Sequence, residues 1–123
     1  RVMEEKSRIP RVTTAPDLEA LLRSRDELFA LFYASWCPYS RRFLPVFENH
    51  AKDPGRFALV QDDGDTLSDP YAIEIFPTVL FFRKGAVARR LDGRRGAGLN
   101  EEELARFIRD CSAEQSESTG GPR

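Results

Sequence analysis

The sequence predicts an α/β domain, with a mixed central sheet of four or five strands and helices on both faces. Three observations carry this prediction. Two short, nearly continuous apolar runs, at residues 28–34 and 57–61, have the pattern of strands buried on both faces. Between them lies a segment with helical apolar spacing, which makes a strand–helix–strand unit. A Gly-containing turn at residues 83–86 then joins two further strands as an antiparallel hairpin, so the sheet is mixed rather than all parallel.

The elements follow in order. Leu18, Leu21 and Leu22 repeat at helical spacing within residues 11–24, and Thr14 with Asp17 has the spacing of a helix N-cap. The strand at residues 28–34 ends in Trp36 and Cys37. Phe43, Leu44, Phe47 and Ala51 then form one stripe of a helix that stops at Asp53-Pro54-Gly55. Pro45 lies inside that helix, cannot donate toward residue 41 and is expected to kink it. After the second strand comes an acidic turn at residues 62–65, then a short helix around residues 68–73. Residues 78–82 and 87–91 form the hairpin. Asn100 and Glu103 make a capping box, from which Leu104, Phe107, Ile108 and Cys111 extend one apolar face of a last helix. Residues 1–9 read as an N-terminal arm, 10–112 as the domain and 113–123 as a disordered tail without core-forming side chains.

Composition excludes several classes. At 123 residues the chain makes one domain, and roughly two thirds of its unfolded surface can be buried without staples. Two cysteines and one histidine provide no metal-ligand spacing, so no metal or other cofactor is expected. The longest apolar run is far short of the ~20 residues that cross a bilayer. Arg89, Arg90, Arg94 and Arg95 are answered by Glu101, Glu102 and Glu103, a solvated charge pattern rather than a nucleic-acid site. Asp62, Asp63 and Asp65 lack the closing Glu of a calcium loop. His50 falls at the far end of its helix from Cys37, where a helix C-terminal charge interaction suits it.

Chemistry concentrates at Trp36-Cys37-Pro38-Tyr39-Ser40, between a buried strand and a helix. Unpaired N–H groups and the macrodipole at a helix amino end favour negative charge, so a thiolate is favoured at Cys37. Pro38 starts the helix without wasting an N–H, and Ser40 offers a hydroxyl to the sulfur. Trp36 and Tyr39 offer an apolar client-facing surface. Cys111 lies ~16 Å along the last helix from its start, beyond the ~7 Å Cα separation a disulfide tolerates. It therefore reads as a packing residue.

At these residues the chain resembles the thioredoxin superfamily, and in particular the catalytic domains of protein disulfide isomerases. Phe32-Tyr33-Ala34-Ser35-Trp36-Cys37 is similar to the family's Phe-Tyr-Ala-x-Trp-Cys, Pro45 to its kinking proline, Phe76-Pro77-Thr78 to its cis-proline loop, and Gly93 with Arg95 to an isomerase-type Gly-x-Arg. The resemblance spans about residues 10–112. It implies a thioredoxin fold with Pro77 in cis beside Cys37, the backbone of Phe76 pairing with an extended client, and Trp36, Pro38 and Tyr39 on the client side. Arg95 is a candidate to stabilise the Cys37 anion.

Two departures qualify that likeness. Ser40 stands where dithiol members carry a second cysteine, and Leu31 stands where the family commonly buries an acid serving that cysteine; Leu59 replaces a lysine that partners the acid. The expected function is thiol–disulfide exchange through Cys37 alone, with Ser40 beside it, acting on client protein thiols or disulfides and released by glutathione or another external thiol. The alternatives are a redox-inactive binding module on the same fold and a dithiol oxidoreductase whose second cysteine Ser40 replaces. A monomer is expected. The compartment is cytoplasmic if the chain is complete and secretory or periplasmic if an upstream signal was removed.

Overall fold

The first apolar run becomes β2 (Glu27–Tyr33), the middle strand of a five-stranded sheet in a computed structural model that describes the backbone of residues 9–120 and side chains as far as residue 113. Its neighbours are β3 (Phe57–Gln61), parallel, and β4 (Thr78–Arg83), antiparallel. The edges are β1 (Arg11–Val12), parallel to β3, and β5 (Ala86–Leu91), antiparallel to β4. The spatial order is β1-β3-β2-β4-β5. Helix α1 (Ala15–Ser24) covers one face; α2 (Pro38–His50) and α3 (Glu101–Gly120) cover the other.

Strand alternation explains both cores. Leu28, Ala30 and Phe32 of β2 point toward Leu18 and Leu22 of α1, while Phe29, Leu31 and Tyr33 point toward Phe43 and Phe47 of α2 and Leu104, Phe107 and Cys111 of α3. Across the second face Phe57 stacks on Phe29 at 5.1 Å and Phe29 meets Phe81 at 4.6 Å, with Phe107 edge-on to Phe29 at 6.0 Å. Each such buried ring contributes about 1.5–3 kcal/mol, so β2 is held from both sides. Thr14 accepts the Asp17 N–H, and Asn100 and Glu103 exchange reciprocal bonds at 2.9 and 3.0 Å, so both caps read from the sequence form. Cys111 is fully buried in the α2–α3 core.

Four expectations are corrected. Arg11 and Val12 are strand, not helix: Arg11 lies beside Leu59 in the sheet, and α1 starts only at Ala15 after the Thr14 cap. The expected helix at residues 68–73 is a single 3-10 turn, Asp69–Tyr71, because Pro70 leaves one turn and Ala72 then adopts the left-handed conformation that ends it. Ile9, placed in the arm, is buried in the core, whereas residues 1–8 lie outside the described residues. Helix α3 also continues through Gly120 rather than stopping at residue 112. Ala113 and the glutamates beyond it are good helix formers, and extending a helix already nucleated by a buried stripe costs little; residues 121–123 lie outside the described residues.

The loop before β4 is fixed by a short polar chain. Thr78 Oγ1 donates to the Ile75 carbonyl at 2.7 Å and accepts the Gly93 N–H at 3.1 Å, and the Phe76–Pro77 bond is cis. Gly93 is pressed so closely on this loop that a Cβ there would lie 2.3 Å from the Pro77 carbonyl oxygen. The atom met at that distance is backbone rather than the end of a flexible side chain, and the Ile75 Cγ2 lies 3.2 Å away, so little can yield. Gly93→Ala is therefore expected to lower stability by about 1–3 kcal/mol, the usual cost of overpacking. A urea titration checks it: the midpoint falls while the slope stays that of the parent chain.

Candidate active site

The chain leaves the buried end of β2 at Tyr33 and turns through Ala34, Ser35 and Trp36 into α2. Cys37 is the N-cap of that helix, in extended conformation, and its carbonyl accepts the Arg41 N–H at 3.0 Å. Pro38 occupies the first turn, where a missing N–H costs nothing. The Cys37 side chain makes no capping bond, and its Sγ lies 4.0 Å from the Phe76 carbonyl, in weak S–H···O contact. Cys37 and the residue preceding the cis-proline are thus brought together.

The sulfur is more enclosed than an exposed junction suggests. Cys37 retains 7% of its surface, while Trp36 beside it keeps 59%. Trp36 meets the Phe76 ring edge-on at 6.3 Å, so the two form a continuous aromatic rim. Pro38 is exposed, Tyr39 and Phe76 are half-buried, and Pro77 is buried. Tyr39 stacks under the Arg42 guanidinium at 5.3 Å and against Gly98.

Ser40 and Arg95 take up different positions from those expected. Ser40 is completely buried, and its hydroxyl accepts the Ala34 N–H at 3.2 Å, so its partner is the strand-to-helix turn rather than the Cys37 sulfur. Arg95 is exposed on the loop between β5 and α3, and no bond joins it to Cys37 among the described residues. Beneath the turn, Leu31 and Leu59 are direct partners across the β2–β3 pair, and both are buried. An apolar pair therefore fills the sites that the resemblance assigns to an acid and a lysine. His50 is remote, paired with Glu101 at 3.2 Å across the α2–α3 contact. Among the described residues no three His, Cys, Asp or Glu side chains gather as metal ligands, and no helix is long and apolar enough to cross a membrane.

Two residues that the sequence marks only as part of an acidic turn build the site's frame. Asp63 accepts both the backbone N–H of Ser35 at 2.7 Å and its hydroxyl at 2.8 Å, with Gln61 as a third donor at 3.1 Å. Its own carbonyl accepts the Trp36 indole N–H at 3.2 Å. These bonds, with the Ser35 backbone bond foremost, hold the Asp63 carboxyl below its ordinary value of 3.8. Asp62, buried, takes the N–H groups of Leu67 and Ser68 and the Ser68 hydroxyl on a single oxygen. A sequence signal existed: two adjacent Asp residues directly after a buried strand, facing a Ser before the Trp-Cys pair.

A cysteine opening a helix at the carboxyl end of the central strands, against a cis-prolyl loop, is the layout of a thioredoxin-fold thiol–disulfide oxidoreductase. Comparison with known proteins agrees. The sequence profile of the thioredoxin family matches residues 10–110. A thioredoxin of Mycoplasmoides gallisepticum is 32% identical over 85 residues, 67% of this chain and 85% of that one. Protein disulfide isomerase-like 5-2 of rice is 33% identical over 108 residues, 81% of this chain but only 25% of that protein. A solved Halobacterium salinarum thioredoxin superposes with a TM-score of 0.67 at 25% identity, covering 84% of this chain and 90% of its own. The chain belongs to the thioredoxin family, and it is related to the domains of protein disulfide isomerases.

Asp63 gives a pH signature. Since folding lowers its carboxyl, the stabilisation it provides is complete above the ordinary carboxylate value and disappears as pH falls through the lower folded value. Trp36 is the chain's single tryptophan, so its fluorescence reports the clamp directly. A change in emission below pH 3.8 is expected in the parent and is expected to vanish in Asp63→Asn, whose neutral amide has no such titration.

Proposed function

We propose that the protein performs thiol–disulfide exchange with client proteins through Cys37 alone. The observation that supports this most is the position of Cys37 as the N-cap of α2, its side chain making no capping bond, with its sulfur against the Phe76 carbonyl and the Trp36–Phe76 rim beside it. The Cys37 thiolate attacks one sulfur of a client disulfide. The new bond joins Cys37 to that sulfur, the client S–S bond breaks, and the other client sulfur departs as a thiolate that takes a proton from water. The product is a mixed disulfide, with no net oxidation of the pair.

Release needs a second thiolate. In dithiol relatives of this fold the residue three positions on would supply it, but here that side chain is the hydroxyl of Ser40, buried and bonded to Ala34. Cys111 is sealed in the α2–α3 core. The attacking thiolate therefore comes from the client itself, which rearranges its disulfides, or from an external thiol such as glutathione, which restores Cys37 and leaves the client thiol capped or exchanged. Isomerisation and retention of clients fit this chemistry; unaided net reduction does not.

An extended client strand lies against Phe76 and the Pro77 loop in this reading, with Trp36, Pro38 and Tyr39 flanking the sulfur. Incubation with an oxidised substrate protein, quenched in acid and resolved without reductant, is expected to show a mixed disulfide that persists until thiol is added and is absent from Cys37→Ser. Ser40→Cys is expected to shorten the lifetime of that species by tenfold or more, since a resolving thiol then lies within the same helix turn. An unchanged band in Cys37→Ser would assign the disulfide to Cys111 and overturn the role of Cys37, and no band in the parent chain would assign the surface to non-covalent binding instead.

A further inference from the structure

The rim on the Tyr39 side of the sulfur carries a charge that the exchange chemistry does not use. Arg41 follows Cys37 by four residues on α2, which places the two on one helix face about one turn apart. Arg42 lies over the Tyr39 ring at 5.3 Å. Arg95 stands in the tight loop that Arg94 and Gly98 close with reciprocal backbone bonds at 3.0 and 2.7 Å. Gly98 docks that loop on Tyr39: a Cβ there would lie 3.0 Å from the Tyr39 Cβ, so the two segments are in direct contact.

Of the three glutamates that follow this loop, two are engaged elsewhere and Glu102 is exposed on the first turn of α3. Glu103 pairs with Arg94, and Glu101 pairs with His50. Arg41, Arg42 and Arg95 are exposed and form no ion pair among the described residues. On the Trp36–Phe76 side the exposed charges have the opposite sign, with Asp63 on the turn beneath Trp36 and Glu74 two residues before Phe76. The exposed charges on the two sides of the Cys37 turn thus differ in sign.

We infer that Arg41, Arg42 and Arg95 form a carboxylate-recognising rim that selects clients bearing acidic residues beside the disulfide to be attacked. The inference rests on the proposed exchange at Cys37 and names the client class for it. Arginine suits the task because its planar guanidinium binds carboxylates in a fork and remains charged at all working pH values. Exposed charges of this kind raise association rates more than final affinity, and salt suppresses them over about 8 Å at physiological ionic strength.

The test uses three peptides, alike except for two Asp, two Ser or two Lys flanking one cysteine, each activated as a 2-thiopyridyl disulfide. Attack by Cys37 forms the protein–peptide disulfide and expels 2-thiopyridone, whose absorbance gives the second-order rate without an added oxidant. At low salt the Asp peptide is expected to react about tenfold faster than the Ser peptide, the Lys peptide more slowly than both, and the spread is expected to shrink as salt rises. In the Arg41→Gln, Arg42→Gln, Arg95→Gln triple variant the Asp-to-Ser ratio is expected to approach one. Equal rates for all three peptides with the parent chain, or a ratio unchanged in the variant even if every rate falls, would overturn the charged rim while leaving the exchange chemistry intact. Failure of every peptide to release 2-thiopyridone faster than Cys37→Ser does would overturn the exchange reading itself.

Discussion

Everything at the site depends on the sealing of β2 between two layers. Because each residue from Leu28 to Ala34 is buried, one alternate set against α1 and the other against α2 and α3, the strand cannot slip by one position without exchanging its two faces. Its register with β3 and β4 is therefore fixed along its length. The end of the strand fixes the point where the chain emerges from the core, and the helix that starts there has its first residue determined to within the Ala34–Trp36 turn. Cys37 is in place because the aromatic stack beneath it permits no other register.

That rigidity is extended upward by polar contacts from distant segments. Ser40 ties the first turn of α2 back to Ala34, Asp63 grips Ser35 by backbone and side chain, and Thr78 bridges Ile75 to Gly93. These contacts brace the turn before Cys37 and the loop before β4, each through hydrogen bonds near 3 Å whose loss would leave a polar group unsatisfied. Against this frame the apolar Leu31–Leu59 pair is informative. A buried acid under the turn costs desolvation whatever its role, and with Ser40 in place of a thiol it would have no thiol proton to take. The two substitutions are chemically consistent with each other.

How much of this was legible in the sequence follows the range of each interaction. The strand at residues 28–34, the helix after Pro38, the Thr14 cap and the Asn100–Glu103 box are written in neighbouring residues, and the structure contains them. The family resemblance added the cis-prolyl loop, which periodicity alone does not reveal. Strand β1 was missed because two residues carry no period, and Arg11 and Val12 become strand only through pairing with Leu59 and Val60. Asp63 was read only as part of an acidic turn because its partner Ser35 lies 28 positions earlier. Ser40 was matched with Cys37 by proximity, whereas burial turned its hydroxyl toward an amide that would otherwise be orphaned. Long-range partners, rather than element types, are what a single sequence conceals.

If exchange runs through one thiol as proposed, this protein meets a different selection problem from dithiol relatives. Where a second cysteine resolves the mixed disulfide, an unproductive attack is quickly reversed, so promiscuity at the first step costs little. On the proposed mechanism no internal group reverses it, and a wrong client stays bound until an outside thiol arrives. Discrimination then has to act before the sulfur does. The enclosure of Cys37, with 7% of its surface open beside a tryptophan that is 59% open, has that consequence physically: a client must first settle on the aromatic rim in an orientation that presents its disulfide to a narrow opening. On the proposed mechanism, non-covalent fit at Trp36 and Phe76 precedes the covalent step and limits which clients reach it.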